Sequence, residues 1–141
     1  MNRKALEIGM YRTHFVDSTG LNSDNVSTAE DLAKMVAAAF NYPLIREFTT
    51  MASYEVEPIG SRHSLAFRNS NGLVKNRSWE IGLSKTGYIS EAGRCLVMQA
   101  RIAAKPVIIV LLDSWGKYTR MADANRIKRW MESALANRPL G

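Results

Sequence analysis

Apolar positions along this chain recur first at helical spacing and then, from Ser53 onward, at strand spacing. Leu32, Met35, Val36, Ala39 and Phe40 fall on one face of a helix. Ser27 is the N-cap candidate for that helix, and Glu30 stands at the capping-box spacing behind it. Asn41-Tyr42-Pro43 stops the segment, and Pro43 opens a short second helix through Phe48. Ahead of these, "NRKALEIG" reads as a helix end stopped by Gly9, and "TGLNSDN" as a turn-rich loop.

Beyond Ser53, "SYEVEP" and "RHSLAFRN" read as strands around a Pro-Ile-Gly turn, and "NSNGLVKN" as a loop. "SWEIGLSK" is a strand leading into Lys85. "GRCLVMQARI" and "PVIIVLLDS" form an antiparallel hairpin, joined tightly at Ala104-Lys105. The last segment, "ADANRIKRWMESAL", opens with Asp123 and sets Ala124, Ile127, Trp130, Met131 and Leu135 on one stripe. Such a stripe packs a helix on a sheet. Helices and strands come in blocks without βαβ alternation, which argues for an α+β fold: an antiparallel sheet with flanking helices.

Composition narrows the class. With 141 residues, 46% hydrophobic and 23% charged, residues 1–141 suit a single globular unit with no linker. The longest apolar run, "VIIVLL", is far too short to cross a bilayer. The net charge of +6 is spread from Arg3 and Lys4 through Arg62 to Lys117 and Arg129. No basic block interleaves with aromatics, which argues against a nucleic-acid partner. Cys95 is the sole cysteine, so no intrachain disulfide forms, and it reads as a small buried apolar residue. "MNRKALEIGMYR" lacks the apolar core of a signal peptide.

The candidate chemistry lies in Lys85-Thr86-Gly87, where a strand meets a Gly-containing turn on a candidate edge. A Lys ammonium beside a serine lowers the cost of its deprotonation. The ammonium and the Thr hydroxyl together hold a carboxylate through charge-assisted hydrogen bonds. Gly87 lets a substrate backbone approach and pair with the strand, and the Tyr88 backbone N–H can face a developing oxyanion.

Two further strings accompany this triplet in some serine enzymes: S-x-x-K, which carries the nucleophile, and S-x-N. Ser114-Trp115-Gly116-Lys117 and Ser23-Asp24-Asn25 match them literally. Neither fits its role. An S-x-x-K pair needs one helix face, whereas Ser114 follows a strand and Gly116 opposes a helix. Ser23-Asp24-Asn25 lies in a loop where such residues are common anyway. His14 and His63 stand apart, so no metal site is expected. Glu55 and Glu57 read as a solvated strand face, and Trp79, Trp115 and Trp130 as packing residues.

Taken along the chain, "MNRKALEIGM", "THFVDSTGLNSDNVSTAEDLAKMV", "NSNGLVKN", "GLSKTGYISEAGRCLVMQAR", "VIIVLLDSWGKYTR" and "DANRIKRW" resemble one family. It is the D-alanyl-D-alanine carboxypeptidase/endopeptidase family, the low-molecular-mass penicillin-binding proteins. The likeness is greatest to its endopeptidase branch, often called penicillin-binding protein 7/8. The resemblance implies a β-lactamase/DD-peptidase-like transpeptidase fold, of which residues 1–141 correspond to the C-terminal part of the catalytic domain.

By that resemblance, Lys85 and the Tyr88 backbone N–H take catalytic positions. Lys85, Thr86 and Gly87 take substrate-binding positions, with Asn69 and Asn71 as further candidates for substrate contact. The family's S-x-x-K helix and S-x-N loop lie upstream of the segment matching Met1, so the nucleophilic serine is expected outside this chain. The expected reaction is acyl-enzyme cleavage of peptidoglycan stem peptides, with β-lactams stalling the acyl stage. The parent protein is expected in the periplasm, peripheral to the membrane at most, with no cofactor. The chain alone is expected to be inactive and marginally stable, its sheet edge and the Leu32–Phe40 helix face partly uncovered. The alternative reading is a non-catalytic module that binds peptidoglycan peptides or a protein.

Overall fold

The computed structural model describes residues 1–60 and 63–136. A short helix α1 (Asn2–Glu7) ends where Gly9, at φ +81°, reverses the chain. The following segment is tied down by side chains rather than by regular structure. His14 and Val26 form an isolated antiparallel bridge. Asn25 Oδ1 accepts the Val16 N–H at 2.8 Å. The Asp31 carboxylate accepts the Arg12 N–H and the Thr13 hydroxyl, each at 2.8 Å.

Helix α2 (Ala29–Ala39) begins one residue later than the capping-box spacing suggests. Thr28 is its cap, accepting the Asp31 N–H at 3.2 Å, while the Ser27 hydroxyl is taken up by Thr13 at 2.8 Å. Helix α3 (Pro43–Thr50) carries Pro43 in its first turn and runs past Phe48. Strands β1 (Ser53–Val56) and β2 (Leu65–Arg68) pair antiparallel, with Tyr54 opposite Phe67. The segment read as a loop at "NSNGLVKN" contains a 3₁₀ turn, Gly72–Lys75, capped by Asn71 Oδ1 on the Leu73 N–H.

The main sheet has the order β3 (Glu80–Ile89), β4 (Gly93–Ile102), β5 (Lys105–Ser114), all antiparallel. The β4–β5 turn is Ala103-Ala104 rather than Ala104-Lys105. Both alanines lie in the left-handed region, at φ 47° and 63°, as a two-residue primed turn requires, and Lys105 already belongs to β5.

Strand β4 is central and buried on both faces, and its period of two feeds two cores. Leu96, Met98, Ala100 and Ile102 point to a cluster with Trp79, Ile109 and Ala124. Val97 joins Leu83 and Val36 on the other side, where α2 lies. The apolar face of α2 thus rests on the sheet, Val36 fully buried and Leu32, Ala39 and Phe40 half-buried beside it. The approach is close at the β3 irregularity between Ile81 and Leu83, where a Cβ on Gly82 would lie 2.6 Å from the Phe40 ring.

Helix α4 (Thr119–Ala136) closes the opposite face and begins a turn earlier than Asp123. Its first turn is organised by Thr119, whose hydroxyl accepts the Gly116 N–H at 3.2 Å, and the Asp123 carboxylate pairs with Arg126 instead. Ala124, Ile127 and Met131 face the core, but Trp130 is 70% exposed and lies off the stripe. Among the described residues, no helix is long and apolar enough to cross a membrane.

Candidate active site

Strand β3 is an edge of the main sheet, and α3 packs against it. Here the Ser84 N–H leaves the sheet and donates to Thr49 Oγ1 at 3.3 Å. From Ser84 to Ile89 the register with β4 is unbroken. In an antiparallel strand, alternate residues send both their N–H and C=O groups to the same side. Since Ser84 points outward, so do Thr86 and Tyr88, while Lys85 and Gly87 bond to β4. The outward Tyr88 N–H therefore stands on an uncovered edge.

The side chains around that edge form one cluster. Lys85 is exposed and donates from Nζ to the Thr86 carbonyl. The Thr86 hydroxyl lies 2.6 Å from Ser70 Oγ. A Cβ built on Gly87 meets nothing nearer than Cys95 Cβ at 4.0 Å. Internal packing therefore places no demand for glycine here, whereas close approach of another backbone would. The Tyr88 ring is exposed and carries the Arg94 guanidinium 4.3 Å from its centroid. Phe48, Thr49, Arg68, Asn69, Ser70, Ser84, Lys85 and Thr86 enclose an open cleft of about 260 Å³.

Asn69 and Asn71 flank Ser70, and the structure gives both of them partners within the protein. Asn69 Nδ2 donates to the Thr49 and Met51 carbonyls at 3.0 and 2.9 Å, fastening the end of α3. Asn71 is 1% exposed, and its Nδ2 donates to Ser84 Oγ at 2.8 Å. The residue between them, Ser70, is the one whose hydroxyl reaches the cleft. It went unnoticed in the sequence because a serine in a polar loop carries no periodic signal.

Neither literal motif string lines that cleft, although Asn25 borders a small neighbouring cavity with Gly87 and Tyr88. Ser114 ends β5 after Asp113, which adopts φ 49°, and Lys117 turns its ammonium over the Tyr118 ring at 5.5 Å. Asn25 spends its amide on Asp17 and on the Val16 N–H, as a loop anchor. Asp17 is held below its usual carboxylate value by hydrogen bonds from Thr19 and Asn25.

One charged residue was not foreseen. Arg120 in the first turn of α4 is 7% exposed, and its Nε and Nη1 have no hydrogen-bond partner among the described residues. Burial lowers its pKa, and the nearby Arg94 lowers it further, against a smaller opposing effect of Cys95. Cys95 and Arg94 are the β4 partners of Gly87 and Tyr88. The stripe Ala124, Ile127, Met131, run back one turn, lands on Arg120, so a charge at an expected core position was the available signal.

This geometry has counterparts among known proteins. A family model described as D-alanyl-D-alanine carboxypeptidase matches residues 1–116. The D-alanyl-D-alanine endopeptidase of Pseudomonas aeruginosa is 46% identical over 133 residues, covering 94% of this chain and 43% of the relative. The D-alanyl-D-alanine endopeptidase of Escherichia coli K12 shows the same identity and coverage. The crystal structure of the Streptomyces K15 DD-transpeptidase superposes with a TM-score of 0.79 at 32% identity, covering 92% of this chain and 51% of that one. Penicillin-binding protein D2 of Listeria monocytogenes, solved in its cefotaxime-bound form, gives a TM-score of 0.76 at 26% identity, covering 91% and 51%. The chain thus spans less than half the length of these two curated relatives. With its KTG strand exposed at the edge of an α+β sheet and a family match over residues 1–116, the chain belongs to the D-alanyl-D-alanine carboxypeptidase family of penicillin-binding peptidases.

Proposed function

We infer that this chain supplies the KTG-strand side of a serine-type D-Ala-D-Ala peptidase site, as the C-terminal part of its catalytic domain. The observation that carries this reading is the uncovered edge from Lys85 to Tyr88, with its outward N–H groups beside a lysine and a threonine hydroxyl. A peptide laid along this edge pairs with the Thr86 and Tyr88 backbone as an added strand. Its leaving-residue carboxylate meets Lys85 Nζ and the Thr86 hydroxyl, and the scissile carbonyl oxygen meets the Tyr88 N–H.

A serine hydroxyl attacks that carbonyl, the C–N bond breaks as the ester C–O bond forms, and the leaving nitrogen takes up a proton. Water then cleaves the ester and frees the serine. We assign the serine to a segment outside this sequence: Ser114 and Ser23 do not line the cleft, and Ser70, whose hydroxyl does reach it, is paired with the Thr86 hydroxyl at 2.6 Å. Asn69 and Asn71 act by holding α3 and Ser84 in place, and Ser70 sets the Thr86 hydroxyl. The substrates are peptidoglycan stem peptides, β-lactams acylate the same serine, and the parent protein works in the periplasm. This chain alone is inactive.

Intact-mass measurement after incubation with benzylpenicillin tests this reading on two proteins. One is the chain alone. The other is the chain fused behind the portion of the P. aeruginosa relative that precedes its matching residues. No adduct on the first, and a stoichiometric penicilloyl adduct on the second that Lys85→Ala abolishes, is the expected result. An adduct on the chain alone that Ser114→Ala removes would overturn the placement of the nucleophile.

A further inference from the structure

The cleft beside Lys85 suits an anion. Arg68 and Lys85 both line it, and among the described residues no carboxylate does. Neither cation has a carboxylate within ion-pair distance among those residues. Within the same lining, the Ser70 and Thr86 hydroxyls face one another at 2.6 Å. Ser70 has little freedom to turn away. Asn69 on one side is fastened to the Thr49 and Met51 carbonyls, and Asn71 on the other to Ser84 Oγ. The Asn71 N–H also donates to Asn69 Oδ1 at 3.0 Å, closing the loop around Ser70. A loop clamped on both sides thus delivers a second hydroxyl to the threonine of the KTG strand.

Two hydroxyls at this distance share one hydrogen bond, and either oxygen can be its donor. An ionised carboxylate carries no proton and only accepts. When one binds here, Thr86 has to give it the hydroxyl proton, and Thr86 Oγ1 is then left to accept from Ser70. We propose that Ser70 is a positioning residue that fixes this polarity, donating to Thr86 so that Thr86 donates to the substrate carboxylate. The inference rests on the reading of the Lys85–Tyr88 edge given above, and adds to it a source of specificity. Without the Ser70 hydroxyl, the Thr86 proton is free to turn toward water, and the donor aimed at the ligand is lost. That loss falls mainly on charged ligands, because hydrogen bonds to an ionised group are the strong ones. A neutral ester in the same place accepts more weakly and gains less from Arg68 and Lys85. Ser70 therefore selects for an ionised carboxylate on the leaving side without touching the reacting atoms.

The fused enzyme described above tests this with benzylpenicillin and its methyl ester, which differ in one charged carboxylate. In benzylpenicillin, as in a peptide ending in D-alanine, that carboxylate sits on the carbon bonded to the leaving nitrogen. Intact mass followed in time gives a second-order acylation rate for each compound. Ser70 is exposed, so replacing it removes no buried group from the fold. Ser70→Ala should slow acylation by benzylpenicillin about tenfold and by the methyl ester less than about twofold. Ser70→Thr keeps a hydroxyl and should bring the benzylpenicillin rate back to within about threefold of the parent. Equal losses on the two compounds would reduce Ser70 to a residue that holds the loop, which overturns the proposal. An unaltered benzylpenicillin rate in Ser70→Ala, or a Ser70→Thr variant equally slow, overturns it as well. A parent fused enzyme that forms no penicillin adduct sinks the underlying reading and the inference with it, a result that involves no change at Ser70.

Discussion

Asn71 Nδ2 donates to Ser84 Oγ at 2.8 Å, and both side chains are buried. This single bond ties the loop carrying Ser70 to the strand residue immediately before Lys85. Asn71 also caps the 3₁₀ turn through Oδ1 on the Leu73 N–H at 3.1 Å, so one amide fixes a strand, a loop and a turn. Asn71→Ala leaves two buried polar groups without partners, at about 1–3 kcal/mol each by the usual desolvation cost. Chemical denaturation should show a lower midpoint with an unchanged slope. An unaltered midpoint would mean that water replaces the amide fully.

The outward direction of the Tyr88 N–H gives a backbone test of the oxyanion role. Proline is tolerated on an edge strand where its missing N–H would face outward. Tyr88→Pro should therefore preserve the β3–β4 ladder and yet lower penicillin acylation of the fused enzyme by about 10²–10³. Tyr88→Ala keeps the N–H and should stay within about threefold, since the ring is spent on Arg94. Comparable losses in both variants would assign the role to the side chain.

Asp31 supplies a pH dependence. Burial raises its pKa, but hydrogen bonds from Thr13 and the Arg12 N–H, together with Lys34, outweigh that and hold it below its usual value. A carboxyl whose folded pKa is depressed adds stability above the unfolded value, near 3.9, and loses it as pH falls through the folded value. Asp31→Asn should lower Tm at pH 7, and the gap to the parent chain should close as pH falls below about 4. A gap that stays constant with pH would place the effect in packing instead.

The strands and their two-sided core were readable because period-two alternation on β4 and the apolar run on β5 leave one antiparallel arrangement. The KTG edge was readable for a similar reason: a strand pattern interrupted by glycine and followed by a turn rarely lies inside a sheet. Boundaries were less legible. Ser27 and Thr28 are equally good caps in isolation, and only the hydroxyl of Thr13, distant in sequence, decides between them. Asn69 and Asn71 could be placed near the cleft, but their inward direction depends on where Thr49 and Ser84 come to lie. Tyr54 and Phe67 alternate as ordinary strand residues, and it takes the β1–β2 register to bring them together.

Arg120 is the residue whose position the fold alone does not justify. A buried guanidinium with two nitrogens unpartnered among the described residues costs stability, and Arg94, the charged group that acts on it, adds repulsion. Ala124, one turn on along α4, is fully buried in the core, so an apolar chain of similar length suits this stripe of the helix. Arg120→Met should therefore raise the unfolding free energy of the 141-residue chain by roughly 1–3 kcal/mol, read as a higher denaturation midpoint. In the fused enzyme the same substitution should weaken acylation if the guanidinium serves the site, since Arg94 and Cys95, the groups that act on it, pair with Tyr88 and Gly87. Greater stability together with weaker acylation would identify Arg120 as a charge kept for binding at the expense of the fold. A stability loss on Arg120→Met would show instead that the guanidinium is satisfied in solution, and that it belongs to the packing of α4.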